Sequence, residues 1–452
     1  MCQAFTTIKG INIEGVKLIG IIGAGPAGCA LACFLAQKGI RCVVFDNQKR
    51  PELLVGESLV PAAIPYLQRL GIESEVAAIS AKKRGAALRH PSGVRVDFKF
   101  RRFSRDIPDY SYNIPRPEFD QILVRRAKSL GVTFINSMAE LEPLGSDDRD
   151  IALSASCLKS VGLQEHPDFL VDATGRHRLF SRLLSLDAVK GKRNDVSYFA
   201  HYRNFSADDA VEGQVVLSVI DAGWSWQIPL KGVLSVGVVL DKAAAARYGS
   251  SPQERLENII DNDSMLSVSG RHRQRCSKVV TYSNYQLVTK QSFGKGWALL
   301  GDAHSFVDPM LSPGVFMALE SAALLEKNLM KHEQIDYVGL ERYSKELDHW
   351  HQSWNEVIDY FYDGRLLGLF EAGQNVAKNA SKYSISRLLE WHIRRVISSM
   401  VSGAATRSIY NQKALFYSCQ HLLSSDIDTE RYSMKPYVKN GSAKKRVEEC
   451  FY

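Results

Sequence analysis

Lys17-Leu-Ile-Gly-Ile-Ile22-Gly23-Ala-Gly25-Pro-Ala-Gly28 is the stretch that decides the fold. An apolar run stops at a glycine turn. Small and apolar residues follow from Ala27 to Lys38 and end near Gly39, and a second run, Arg41 to Phe45, finishes on Asp46. Strand, turn, helix, strand in this space is a βαβ unit with a right-handed parallel crossover. Each glycine has a physical task. Gly23 permits the tight turn, Gly25 lets the backbone approach a pyrophosphate, and Gly28 lets helix and strand pack closely. Ala27 lies in the first helical turn, whose unpaired N–H groups favour phosphate. Asp46 accepts hydrogen bonds from ribose hydroxyls and repels a 2′-phosphate. GxGxxG alone is a weak signal; between a strand and a helix, with an acid ending the next strand, it is a strong one. It does not separate FAD from NAD.

Outward from this unit, Leu59 to Leu70 reads as a helix and residues 85 to 100 alternate like strands. Pro117 to Leu130 carries Phe119, Ile122, Leu123 and Ala127 on one helical face. Val132 to Asn136 reads as a strand and residues 141 to 172 as a β-meander. Residues 192 to 242 are β-branched and aromatic with turn signals, the pattern of an antiparallel sheet. Residues 297 to 330 give strand, loop and helix, and the chain after 331 is mainly helical. The expected class is α/β (α+β). It consists of a Rossmann-like three-layer dinucleotide-binding unit (1–185 with 275–330), an inserted antiparallel substrate sheet (186–274 with parts of 85–113), and a helical C-terminal region (331–452).

The chain has 452 residues, 45% hydrophobic and 23% charged, enough for two or three units with a large core. Much of the net charge of +8 falls in the tail at Lys435, Lys439, Lys444, Lys445 and Arg446. Such a block reads as a solvated end rather than a nucleic-acid surface. None of the eight cysteines forms a CxxC pair, so metal and thioredoxin chemistry are not expected. Several of them lie in apolar runs, which fits a reducing compartment, hence a cytoplasmic location. The run at Val16 to Ile22 is too short for a membrane helix and leads into the glycine turn, so it reads as a buried strand.

Three later segments bear on the cofactor. Gly301-Asp302 follows the strand-like Gly296-Trp-Ala-Leu-Leu300 and leads through His304-Ser-Phe-Val-Asp-Pro-Met-Leu-Ser-Pro-Gly314 into a helix. Asp172-Ala-Thr-Gly175 closes another strand, and Arg116 stands in Ile114-Pro-Arg-Pro-Glu-Phe-Asp120. In this order the segments resemble FAD-dependent monooxygenases of the aromatic-hydroxylase group. That resemblance implies FAD, with Asp302 on the ribityl chain, Arg116 near the cofactor, and the Pro309 to Gly314 loop facing the isoalloxazine. NAD(P)H reduces the flavin directly, or a separate flavin reductase supplies it reduced.

Two further stretches narrow the resemblance. Gly56-Glu57-Ser58-Leu-Val-Pro61 and Trp224-Ser-Trp-Gln-Ile-Pro229 resemble the GES–P and WxWxIP segments of flavin-dependent halogenases. In that family a C4a-hydroperoxyflavin, protected by apolar walls, oxidises halide, and a lysine beyond the tryptophan barrier delivers the halogen. The resemblance implies that role for Lys83 and places Glu57 and Ser58 beside the cofactor; the bland reading of Lys83 is a solvated cluster with Lys82 and Arg84. Ser312 and Gly314 are the other candidate catalytic positions, through their backbone N–H groups. The chain departs from the tryptophan-halogenase pattern at Leu311-Ser312-Pro313-Gly314, because Pro313 has no N–H to offer an anion. Without a halide site the same scaffold hydroxylates. The expected substrate is an electron-rich aromatic of indole, tryptophan or phenol type, either free, carrier-bound or protein-bound. Two alternatives stay open. One is a flavin reductase of isoprenoids resembling geranylgeranyl reductases, and the other is a non-catalytic flavoprotein scaffold.

Overall fold

A computed structural model describes residues 18–100, 106–145, 149–205, 213–378, 395, 398–404, 413, 417 and 429–434. The basic tail lies outside the described residues.

The first strand, Ile19–Ile22, is wholly buried and sits inside a six-stranded sheet. The sheet runs Phe293–Gly294, Trp297–Leu299, Phe169–Asp172, Ile19–Ile22, Cys42–Phe45, Thr133–Ile135. All neighbours are parallel except the edge pair Phe293–Gly294 and Trp297–Leu299. Unbroken apolar runs such as Cys-Val-Val-Phe suit strands covered on both faces. Ile22 pairs with Phe45 and with Asp172, and Asp172 pairs with Leu299. The glycine turn, Asp46, the Asp172 turn and the Gly301-Asp302 turn therefore leave the same carboxyl edge, where ligands of parallel sheets bind. This register brings together motifs far apart in sequence.

The second sheet contains Ala188–Arg203, Val215–Ile220, Gly223–Pro229 and Leu234–Asp241, antiparallel where they pair. The expected antiparallel sheet is present, with one parallel joint, Val215–Ser218 against Ala86–Arg89. Val280–Thr289, assigned on sequence to the FAD-binding unit, pairs antiparallel with Ala188–Arg203 and so extends this second sheet. Period-two alternation gives the sheet two faces. Val196, Tyr198, Ala200 and Tyr202 pack with Leu256, Ile259 and Ile260 of the helix Pro252–Asn262. Phe199, Trp224, Trp226 and Val239 belong instead to the main core.

The expected β-meander at 141–172 is a correction. Among the described residues only Leu141–Pro143 and Ile151–Leu153 pair as a hairpin. Ser154 then caps a helix, Ala155–Val161, by accepting the Cys157 N–H, and Gly162 ends it at φ +72°. Phe169–Asp172 belongs to the parallel sheet. Short polar stretches hid the helix, whose only buried residue is Cys157. After residue 331 the chain is helical as expected among the described residues, with Tyr337–Tyr362 and Arg365–Lys378. Leu340, Tyr343, Leu347, Trp354, Ile358 and Phe361 form the buried stripe of the first.

Candidate active site

At the shared sheet edge lies one cavity of about 550 Å³. Gly23, Gly25, Ala27 and Asp46 line one part of it, and Asp302, Pro309, Ser312 and Gly314 another. Glu57, Ser58 and Arg116 line it too, and Trp224, Trp226 and Ile228 form a wall. Gly28 and Lys83 lie behind the lining.

The three early glycines answer three different demands. Gly23 has φ +113°, and a Cβ there would stand 2.4 Å from the Ala173 carbonyl oxygen. A Cβ on Gly28 would meet the Gly23 carbonyl oxygen at 2.0 Å, so the missing side chain lets the helix Pro26–Gln37 close onto the strand. Gly25 differs: nothing lies within 4 Å of its Cβ position, and its φ of −79° suits any residue. Protein packing does not require that glycine; a ligand pressed against the backbone does. The residues therefore fit a dinucleotide. Asp46 accepts from the Gln48 N–H at 3.0 Å and from Arg50 at 2.7 Å, which fixes its carboxylate at the cavity.

Arg116 opens the helix Arg116–Ser129 and is clamped by Asp120 at 3.1 and 3.2 Å and by the Val55 carbonyl. A Cβ on Gly56 would fall 2.6 Å from its Nη1, so the first residue of Gly56-Glu57-Ser58 is glycine to seat this guanidinium. Burial pushes the Asp302 carboxyl up to about 6, opposed by the positive charges of Arg176 and Arg116. Asp172 faces inward, taking the Thr174 amide and hydroxyl and the Phe180 amide at 2.6–2.9 Å. It locks the turn, while Ala173, Thr174 and Gly175 line the cavity.

The late loop has an unusual backbone. Leu311 and Ser312 both have left-handed φ, +65° and +62°. The Ser312 amide donates to the Pro309 carbonyl at 3.0 Å. Pro313 precedes the helix Gly314–Asn328 without a donor of its own. At Gly314, as at Gly25, nothing lies within 4 Å of a Cβ. Two helix N-termini thus open on one cavity, each at an uncrowded glycine.

The two tryptophan rings are 5.8 Å apart. Trp224 donates its indole N–H to the Tyr362 hydroxyl at 2.8 Å, and Trp226 donates to Ser235 at 3.3 Å. Gly237 makes room for Trp226, whose ring would stand 2.2 Å from a Cβ there.

Lys83 is 3% exposed, whereas its neighbours Lys82 and Arg84 are half-buried, so the basic triplet is not a uniformly solvated cluster. Its Nζ donates to Ser58 Oγ at 2.8 Å and to the Leu59 carbonyl at 3.1 Å, and lies 5.3 Å from the Phe100 ring centre. No carboxylate pairs with it among the described residues, and burial lowers its pKa to about 7. Ser58 separates it from the cavity.

Sequence reasoning missed Arg176, packed 5.2 Å from the Tyr282 ring and 5.1 Å from Phe306, and His201, 2.6 Å from Glu57. It also missed Tyr362, Asp308 and Arg193. Arg176, next to Gly175, and Asp308, inside the His304 to Gly314 stretch, are the two that stand at motifs able to flag them.

A family model described as FAD binding domain matches residues 16–353. The chain is 27% identical over 383 residues to a 1H-pyrrole-2-carbonyl-(peptidyl-carrier protein) chlorinase of Pseudomonas fluorescens, covering 78% of this chain and 84% of that one. It is 27% identical over 402 residues to a tryptophan 2-halogenase of Chondromyces crocatus, covering 85% and 75%. Among solved structures, a flavoprotein/dehydrogenase of Cytophaga hutchinsonii is similar in fold at TM-score 0.71 and 24% identity, covering 89% of this chain and 96% of that one. A flavin-dependent brominase is similar in fold at 0.69 and 21%, covering 87% and 99%.

Proposed function

Because the chain belongs to the FAD binding domain family and is an FAD-dependent oxidoreductase, we propose that it halogenates an electron-rich aromatic ring, presented as an acyl group on a carrier protein. One observation carries this reading. A single cavity joins the early glycine turn to the helix N-terminus at Gly314, is walled by a buried tryptophan pair, and has a buried amine, Lys83, bonded to its lining residue Ser58. The carrier-protein chlorinase and the tryptophan halogenase among the relatives support the substrate class.

FAD, when bound and reduced, supplies the electrons that activate dioxygen. The chain's residues do the rest. The N–H groups at Gly25 hold the pyrophosphate, Asp46 the ribose, and Asp302 with Arg116 the ribityl–phosphate region. Trp224, Trp226 and Ile228 exclude water from the reacting face. The amide of Gly314 and its helix N-terminus stabilise negative charge, Ser312 contributing little because its N–H is taken by Pro309. With a pKa near 7, Lys83 populates both amine and ammonium at neutral pH, so Nζ holds or releases a proton beside Ser58.

Hydroxylation is the second reading, favoured by Pro313, which removes one donor from the loop an anion would occupy. The experiment supplies reduced FAD, dioxygen and bromide with tryptophan, a phenol and a pyrrole-2-carbonyl carrier, read by mass spectrometry. The expected product gains bromine. A bromide-independent gain of oxygen selects hydroxylation, and no product from any substrate overturns both. Lys83→Met is expected to keep FAD and lose at least about a hundredfold in product rate, the scale of a removed acid–base group. Full activity there removes Lys83 from the site.

A further inference from the structure

The loop before Gly314 is held from outside itself. Asp308, fully buried, accepts the Met310 amide on Oδ1 at 2.9 Å and the Tyr362 hydroxyl on Oδ2 at 3.2 Å. The same Tyr362 oxygen accepts the Trp224 indole N–H at 2.8 Å. Arg193 lies 4.0 Å from the centre of the Tyr362 ring, with Nε 3.6 Å from Asp308 Oδ2, and reaches Asp359 at 3.1 Å on the same helix. The hydrogen bonds run one way, from Trp224 through Tyr362 to Asp308, and these three residues are 0–3% exposed. Only a group that both donates and accepts can sit at the centre, and a phenol does. At the ends stand a cavity wall residue and the residue before Pro309, itself a lining residue. The loop needs such a hold, because two successive left-handed L-residues, Leu311 and Ser312, persist only when their surroundings fix them.

We propose that Tyr362 is a positioning residue for the cofactor-facing loop, its hydroxyl tying Trp224 to Asp308 so that wall and loop keep one spacing across the cavity. The proposal rests on the reading of that cavity as the FAD site. It makes the end of the helix Tyr337–Tyr362 part of the active-site framework although it does not line the cavity.

The test compares Tyr362→Phe with Tyr343→Phe. Tyr343 also loses a buried hydroxyl bond, 2.7 Å to the Leu299 carbonyl, but is not part of the Trp224–Asp308 chain. Both variants are titrated with FAD, and the visible circular dichroism of the bound flavin is recorded without substrate. Tyr362→Phe is expected to bind FAD within about threefold of the parent, since the grip at Gly25 is untouched, while the dichroism of its isoalloxazine bands changes. Tyr343→Phe is expected to leave the bands unchanged. Equal bands in Tyr362→Phe and the parent overturn the proposal, as does an equal change in both variants. A Trp224→Phe background supplies a second route: removing the Tyr362 hydroxyl there is expected to add less than half of its effect in the parent, and full additivity overturns the coupling. A parent chain that takes up no flavin removes the functional reading as well, which separates that failure from an unmoved spectrum.

Discussion

The cavity has two ends built on one plan and secured by opposite means. At each, a buried parallel strand leads, through a tight turn early and a longer loop late, into a helix whose N-terminus carries an uncrowded glycine, Gly25 early and Gly314 late. The early turn is fixed by what its neighbours lack: Gly23 and Gly28 allow backbone contacts that any Cβ would break. The late loop is fixed by what distant residues bring, namely Arg193, Asp359, Tyr362 and Trp224 around Asp308. A local steric device can be copied with a short motif. A loop held by tertiary contacts can keep strained L-residues, as Leu311 and Ser312 do here, provided the frame stays.

The largest effects should fall on the early turn and divide its glycines. Gly28→Ala sets a Cβ 2.0 Å from a backbone oxygen that cannot yield easily. It should cost about 3 kcal/mol, at the upper end of overpacking, seen as a lowered denaturant midpoint without FAD. Gly25→Ala should leave that midpoint within about 0.5 kcal/mol, since its Cβ meets nothing. It should weaken FAD binding by about a hundredfold, or about 2.7 kcal/mol, because the methyl takes the space a pyrophosphate needs. Unchanged FAD affinity in Gly25→Ala would put the cofactor elsewhere.

At the late end, damage should come from a distance. Arg193→Met leaves the fully buried Asp308 without that cation and should cost about 3 kcal/mol. Adding Asp308→Asn should recover at least half, because the stranded charge and not the lost side chain is the main cost. A cost that Asp308→Asn does not relieve would mean that Arg193 acts through Asp359 or its packing alone.

This contrast governs what could be read in the sequence. The early turn, Asp46 and the parallel βαβ unit were legible because the periodicity and the glycines lie within a few residues of one another, whereas Asp302 was implied only by the family resemblance and lines the same cavity. Arg116 was legible as a cavity residue, although the reason for Gly56 beside it emerges only when the guanidinium occupies its Cβ position. Tyr362 was not legible: it is one aromatic in a helix with many, and its partners Trp224 and Asp308 are 138 and 54 residues away. Lys83 stood between. Strand alternation turns it inward between half-buried Lys82 and Arg84, but a three-residue strand gives too few alternations to read.

A smaller effect is expected from pH at Asp302. Burial raises its carboxyl from 3.8 to about 6, so ionising it costs the folded chain more than the unfolded one. The FAD-free protein should lose stability as pH rises from about 4 to about 6, with the loss complete above that window. About 2 kcal/mol is expected, below the full value of the shift because Asp302 is half-buried. Asp302→Asn should flatten that part of the pH profile. A slope that survives the substitution belongs to another group.

The smallest effect makes the finest test of the late loop. Ser312 holds φ +62° without being glycine, a conformation that costs an L-residue on the order of 1 kcal/mol. Ser312→Gly relieves that strain but adds unfolded-state freedom of comparable size, so the two terms nearly cancel. If Asp308 and its distant partners hold the loop, the variant should unfold within about 0.5 kcal/mol of the parent and bind FAD equally well, because the frame and not residue 312 sets the geometry. A loop that held itself would respond to a more flexible residue at that turn. Ser312→Gly would then lose FAD affinity at unchanged stability, and the two ends of the cavity would differ less than their contacts indicate.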